Sequence, residues 1–239
     1  MDVQLKAYKK DFEYSYTLGV FPTLELLNFQ MDKVIKVILS QDGMENEGVK
    51  KIINICEENN IECQINDKAI NRISKKKNCY AIGVFKKYEI DLSKSLNHVV
   101  LVEPSDMGNL GTIIRTILGF NIKNLAIIRP AVDIYDPKAI RASMGAIFKI
   151  SFEYFDSFEE YMNKFDNDIY TFMLDAKETL PNIKVNKNRP FSLVFGNEGS
   201  GLSEKFSNIG TSVIIPHGDE IDSLNLSIAV GIAAYEFTK

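Results

Sequence analysis

The sequence predicts an α/β protein in two parts: a small α/β domain over residues 1–92 and a larger domain over 97–239, built on a mostly parallel sheet with helices on both faces. Three observations predict it. Short apolar runs, most rich in β-branched residues, alternate with helix-spaced apolar patterns, and that alternation implies parallel strands covered by helices. The alternation restarts after Tyr88–Ser95, a charged, weakly periodic stretch that reads as a linker. A chain of 239 residues with 45% hydrophobic and 25% charged side chains can bury a sizeable core as one large or two modest domains.

The elements follow in order. Pro22 suits the first turn of a helix, and Leu24, Leu26, Leu27 and Met31 give that helix an apolar side. Residues 34–39, Val-Ile-Lys-Val-Ile-Leu, are a β-branched run and read as a strand. Val49, Ile52, Ile53 and Cys56 lie at helical spacing within Glu45–Asn59. Residues 61–65 and 80–85 are further short strands. In the second part, residues 98–102, 125–128, 169–174, 191–195 and 212–215 are apolar runs bounded by turn or charged residues, as buried parallel strands are. The last helix, 224–237, is apolar nearly all round and is expected to be covered on most sides.

Composition narrows the function. The formal net charge is −4, which argues against non-specific coating of nucleic acid. The charge is uneven: residues 1–95 hold 15 Lys+Arg against 14 Asp+Glu, residues 96–239 hold 13 against 18. The basic clusters Lys75, Lys76, Lys77 and Lys86, Lys87 are either a solvated face or a local phosphate-binding patch. Cys56, Cys63 and Cys79 lack Cys-x-x-Cys spacing, and His98 and His217 lie far apart, so no metal site is expected. No apolar stretch approaches the roughly 20 residues of a membrane helix, and the first residues lack a signal-peptide core. The expectation is a reduced, cytoplasmic protein with free thiols.

Three segments invite a chemical reading. In Asn109-x-Gly111-x-x-x-Arg115-Thr116, apolar Leu110, Ile113, Ile114, Ile117 and Leu118 define one helix face and Arg115 lies off it. The helix begins after a strand end, where open α/β sheets bind ligands; the alternative is a solvent-facing arginine with Asn109 as helix cap. In Phe195-Gly-Asn-Glu198-Gly-Ser-Gly-Leu202, three glycines follow a strand and allow close backbone approach. It is neither G-x-G-x-x-G nor a Walker A sequence, and Glu198 inside the loop would repel a phosphate but suit a cation; the alternative is a simple tight turn. In the third, Ile215-Pro-His217-Gly leads to Ser223-Leu-Asn225, with Ser223 as a candidate cap of the last helix and Asn225 a polar amide at its mouth.

Together, in this order and spacing, the three segments resemble the SpoU/TrmH branch of the trefoil-knotted RNA ribose 2′-O-methyltransferases, as does Arg141-Ala-Ser-Met-Gly145-Ala. The resemblance covers about residues 97–239, and the N-terminal part is more weakly similar to the small RNA-binding domain of that family. It implies an α/β domain whose C-terminal segment forms a trefoil knot, a homodimer sharing the last helix, and no membrane or metal partner. S-adenosylmethionine would be held by Leu174, Gly196, Asn197, Gly201, Ile215 and Leu224. Arg115, Asn109, Glu198, Ser223 and Asn225 would form the catalytic set, with Lys75, Lys76, Lys77, Lys86, Lys87 and Arg141 contacting RNA from either rRNA or tRNA.

The sequence departs from the commonest family pattern at His217, Asp222 and Asn121, and Asn121 is a residue type that tolerates a left-handed backbone. Two rival readings differ in class. A dinucleotide-dependent oxidoreductase lacks its glycine fingerprint here. A catalytically inactive RNA-binding or ribosome-assembly protein on the same fold is opposed by the intact catalytic set.

Overall fold

The computed structural model describes every residue except Met1, Asp2, Gln4, Lys76 and Lys77. The chain forms two compact units. The first holds the chain through Tyr88 together with Asp133–Lys149, the second Glu89–Val132 and Ile150–Lys239. The division at Tyr88 lies at the start of the predicted linker. A continuous second domain over 97–239 does not match this division, because residues 133–149 cluster with the first unit. Aromatic packing accounts for that. Within the first unit the Tyr135 ring lies 6.0 Å from Phe85 and 5.8 Å from Tyr88, and Phe148 meets Phe85 edge-on at 5.3 Å.

The first unit begins with strand β1 (Tyr14–Tyr16), helix α1 (Val20–Phe29), strand β2 (Val34–Leu39), helix α2 (Glu47–Glu58), strand β3 (Cys63–Ile65), helix α3 (Asp67–Ile73) and strand β4 (Ala81–Lys86). Its sheet order is β1-β4-β2-β3, with β4 antiparallel to both neighbours and β2 parallel to β3. Helix α2 starts where Asn46 can cap it, its side chain accepting from the Gly48 and Val49 amides. Cys56 and Cys79 are buried and Cys63 half-buried, all free thiols.

The second unit continues with β5 (His98–Val102), α4 (Met107–Gly119) and β6 (Asn124–Ile128). Helix α5 (Pro137–Ala142) follows in sequence but belongs to the first unit. Then come β7 (Ser151–Phe155), α6 (Phe158–Lys164), β8 (Asp168–Phe172), β9 (Glu178–Thr179), β10 (Phe191–Phe195), β11 (Thr211–Ile214) and α7 (Leu226–Thr238). All seven strands are parallel, in the order β7-β6-β5-β10-β8-β11-β9. From β5 the chain builds outward through β6 and β7, then crosses to the other side. The reversal between β5 and β10 is where such sheets open a crevice at the strands' C-terminal ends. Every residue of β5, β6 and β10 is buried, as strands covered on both faces must be. Strand β7 escapes a sequence reading because Glu153 and half-exposed Tyr154 interrupt its apolar run on the sheet edge.

Two caps differ from expectation. Helix α4 is capped by Asp106, whose side chain accepts from the Asn109 amide, so Asn109 lies inside the first turn. Helix α7 is capped by Asn225, not Ser223. Asn121 adopts φ +58°, the left-handed conformation expected of it. Helix α7 buries Val230, Ala233, Ala234 and Phe237 but leaves Ile228, Ile232 and Tyr235 54%, 39% and 58% exposed. One apolar stripe at helical spacing is therefore uncovered by the chain itself.

A buried polar chain runs through the core of the second unit. The His98 Nε2 donates to the Ser93 carbonyl at 2.8 Å, so Nδ1 accepts from the Tyr161 hydroxyl at 2.8 Å, which accepts from Ser192 at 2.6 Å. Burial pushes the imidazole's pKa down, outweighing the Ser93 carbonyl and the Glu153 carboxylate. The unfolded chain therefore binds a proton below the ordinary value of 6.5 that the folded chain refuses. This contribution to stability is complete above that value and is lost as pH falls from it towards the depressed folded value. Denaturation midpoints of the second unit compared at pH 7.5 and 5.5 are expected to fall for the wild type and to differ less for His98→Gln; an equal fall in both would contradict the assignment.

Candidate active site

The site lies wholly in the second unit, at the C-terminal ends of β5, β10, β8 and β11. After β10 the chain enters the glycine loop. The Asn197 carbonyl accepts from the Gly201 amide at 2.9 Å, and its side-chain oxygen accepts from the Gly199 and Ser200 amides at 2.9 and 3.2 Å. The Asn197 amide nitrogen reaches across the crevice to the Glu103 carbonyl at 2.8 Å. A Cβ at Gly196 would stand 2.1 Å from the Gly201 carbonyl carbon, so no other residue lets the loop fold back on itself here.

Glu198 is aimed away from this loop at the start of α4. Its carboxylate accepts from the Ser105 amide at 2.9 Å, the Ser105 hydroxyl at 2.7 Å, the Asp106 amide at 3.1 Å and the Asn109 side chain at 3.4 Å. Burial alone would raise its pKa. The Ser105 hydroxyl and the surrounding backbone amides outweigh that and hold the carboxyl below the usual range. A carboxylate at a helix N-terminus is also favoured by the helix dipole. Glu198 is thus an ionised anchor, not a proton donor.

The third segment joins through Asn225. Its amide nitrogen donates to Asn109 Oδ1 at 3.2 Å, while its oxygen accepts from the Ser227 amide and hydroxyl at 2.9 and 2.7 Å. Asn109, donating to Glu198 and accepting from Asn225, is the middle link of a chain that ties all three sequence segments together.

Beside this chain lies a cleft of about 180 Å³ that opens to solvent on one side. Leu174, Gly196, Asn197, Gly201, Ile215 and Leu224 all line it, as do Glu198 and Ser223. Asn109 and Asn225 are outside the wall but bonded to it. Arg115 is elsewhere: exposed on α4, it is not in the cleft wall and makes no ion pair or hydrogen bond among the described residues. Glu198 makes no bond to Arg115, since the carboxylate's oxygens are engaged at the helix start. Sequence reasoning passed over Ser105 and Asp106, whose part depends on a contact 93 residues away in sequence. It set aside His217, which lines the cleft with Nδ1 donating to the Ile215 carbonyl at 2.8 Å. Among the described residues no group of three or more His, Cys, Asp or Glu could hold a metal, and no helix is long and apolar enough to cross a membrane.

Met173, Val213, Ile214, Leu226 and Ala229 add apolar wall to the cleft. Residues 97–235 match the model of the SpoU rRNA methylase family. The chain belongs to that family. It is 31% identical over 140 residues to a Synechocystis protein named an uncharacterized tRNA/rRNA methyltransferase, and 33% identical over 150 residues to the Escherichia coli tRNA (cytidine/uridine-2′-O-)-methyltransferase TrmJ. Each match covers 58% of this chain, and 51% and 61% of the respective relative, so the chain spans little more than half the length of these relatives. The crystal structure of the AdoMet-bound rRNA methyltransferase of Sinorhizobium meliloti has the same fold, with a TM-score of 0.78 and 23% identity over 94% of this chain and 87% of that one.

The proposed RNA contacts lie in the first unit. Lys75 and Lys86 are exposed, whereas Lys76 and Lys77 fall outside the described residues. Lys87 is engaged within the unit, donating to the Lys10 carbonyl at 2.8 Å and pairing with Asp133 at 3.7 Å. Arg141 is half-buried in the last turn of α5.

Glu198→Gln removes the charge and turns one acceptor oxygen into a donor facing backbone amides. The expected cost is about 1–3 kcal/mol of stability. Because the folded carboxyl is held down, its contribution is present above the ordinary glutamate value of 4.5 and is lost as pH falls through the folded value. The variant should therefore lose part of the wild type's acid sensitivity. Denaturant titrations at pH 7 and pH 3.5 check both points, and unchanged stability at pH 7 would contradict the anchoring role.

Proposed function

We propose that the chain transfers a methyl group from S-adenosylmethionine to a ribose 2′-hydroxyl of RNA. The observation that carries this reading is the Glu198–Asn109–Asn225 hydrogen-bond chain, which brings three separated segments to one cleft lined by all six residues assigned to the cofactor. The names of the Synechocystis and E. coli relatives support RNA as the substrate class.

When bound, S-adenosylmethionine supplies a methyl group on a cationic sulfonium. The protein's part is to place the ribose hydroxyl in line with it and to stabilise the charge that develops as the hydroxyl proton leaves. Glu198, fixed and ionised, shapes the cleft wall. Asn109 and Asn225 hold α4 and α7 in register at its edge. Arg115 is the group left free to meet RNA. A guanidinium stays protonated in proteins, so it acts as clamp and electrostatic stabiliser of the developing alkoxide and adjacent phosphate, not as the base.

The same reading assigns the loops 196–202 and 215–225 to the trefoil knot of the family, and the first unit to RNA capture through Lys75, Lys86 and their neighbours. It assigns the exposed stripe Ile228, Ile232 and Tyr235 to a second copy of the chain. Three large apolar side chains at i, i+4 and i+7 are costly to leave in water.

Arg115→Ala is expected to lower methyl transfer to RNA on the order of 10² to 10³ or more. S-adenosylmethionine affinity, measured by calorimetry, should stay near the wild-type value, because Arg115 is not in the cleft wall. Arg115→Lys should not restore transfer, since a point charge cannot reproduce the planar fork. Transfer near the wild-type rate by Arg115→Ala would sink the mechanism.

For assembly, the wild type should sediment as a dimer of the 27.0 kDa chain, and Ile232→Glu should yield folded monomer. A monomeric wild type at micromolar concentration would contradict the second copy.

A further inference from the structure

A second cleft opens on the other side of the glycine loop. Ser200 and Gly201 line both clefts, so the loop is a wall shared between them. The second cleft lies over the C-terminal ends of β5 and β6, beside the start of α6, and encloses about 780 Å³ including its mouth. Nothing in the catalytic constellation uses it.

Arg129 lines it. The guanidinium carbon sits 4.7 Å from the centre of the Tyr154 ring, and one nitrogen is 3.3 Å from Asp156. The guanidinium thus lies between an aromatic ring and a carboxylate, while the side chain remains 50% exposed. Glu103, directly after β5, has φ +55°, a left-handed conformation uncommon for a residue with a Cβ. The Asn197 amide clamps its carbonyl, and its exposed carboxylate lines the cleft. Lys205 and Glu159 complete the charged rim, 3.8 Å apart.

The charge balance selects the occupant. Three carboxylates face two cations, and both cations are paired, so a phosphate would meet a net negative wall. A neutral nucleobase would not. Unpaired bases in RNA are held by stacking on aromatic rings or arginine planes and by hydrogen bonds to their edges, and carboxylates accept from amino groups such as cytosine N4.

We propose that this second cleft holds an unpaired, amino-bearing base of the RNA substrate, stacked on the exposed face of the Arg129 guanidinium with Glu103 or Asp156 accepting from its exocyclic amine. Since the two clefts share a wall, this base neighbours the nucleotide being methylated. The inference rests on the RNA methyltransferase reading and deepens it by naming what is recognised beside the target.

Fluorescence anisotropy with 12-nucleotide oligo(C), oligo(A) and oligo(U) RNA tests it. The wild type is expected to bind oligo(C) and oligo(A) more tightly than oligo(U). Arg129→Ala should weaken oligo(C) and oligo(A) binding roughly ten-fold, the scale of removing one stacking partner, with little change in salt slope. Glu103→Gln should narrow the preference over oligo(U) while preserving the overall fold. A salt slope reduced by about one would mean that Arg129 contacts a phosphate, and would overturn the base assignment. So would equal binding of the three oligonucleotides by the wild type, or oligo(C) binding unaltered in Arg129→Ala. Thermal midpoint and S-adenosylmethionine affinity are measured alongside. Arg129→Ala that lowers both would point to a structural role and also overturn the proposal. A wild type that binds no S-adenosylmethionine fails the functional reading itself, a separate result from the oligonucleotide arms.

Discussion

The Glu198 carboxylate at the start of α4 is the contact on which the site depends. Its two oxygens accept from Ser105, Asp106 and Asn109, binding the loop after β10 to the loop after β5 across the switch point of the sheet. The Asp106 amide is one that a helix start leaves without an intrahelical partner. Satisfying it with a charge from another loop fixes two backbones at once. Asn109, held on one side, then has only its oxygen to offer α7, and Asn225 takes it. A single buried-edge anion thereby aligns three segments that lie up to 116 residues apart in sequence.

The same anchoring separates two kinds of residue that a motif reading treats alike. Glu198, Asn109 and Asn225 are engaged with one another and shape the cleft. Arg115 is engaged with nothing among the described residues and faces solvent. The division suits a site in which the protein holds one ligand in a preformed pocket and meets a large polymer with an exposed cation.

Much of the fold was legible in the sequence, because it follows from local periodicity. Residues 34–39, 98–102 and 191–195 read as strands and are strands at those bounds. Elements whose pattern is broken by function or by an edge position were not legible: β7 carries Glu153 in its middle, and α5 belongs to the first unit through contacts of Tyr135 and Phe148 that no spacing rule contains. The alternative that Asn109 caps α4 does not hold: Asp106, an equally good cap type, takes that place and accepts from the Asn109 amide. Cleft residues Gly196, Ile215 and Leu224 were found through motif resemblance, not through any local rule. His217 and Ser105 were passed over because their partners, a carbonyl two residues back and a carboxylate 93 residues on, give no signal in composition.

Under the proposed function, the cleft and its anchored edges direct a methyl group to ribose oxygen. Alkaline hydrolysis of RNA labelled by the protein with radioactive S-adenosylmethionine tests this most directly. Cleavage by alkali requires a free 2′-hydroxyl, so a 2′-O-methylated nucleotide survives joined to its 3′ neighbour. Label is expected in alkali-resistant dinucleotides. Label confined to mononucleotides, which would place the methyl on a base, or no label in RNA at all, would contradict it.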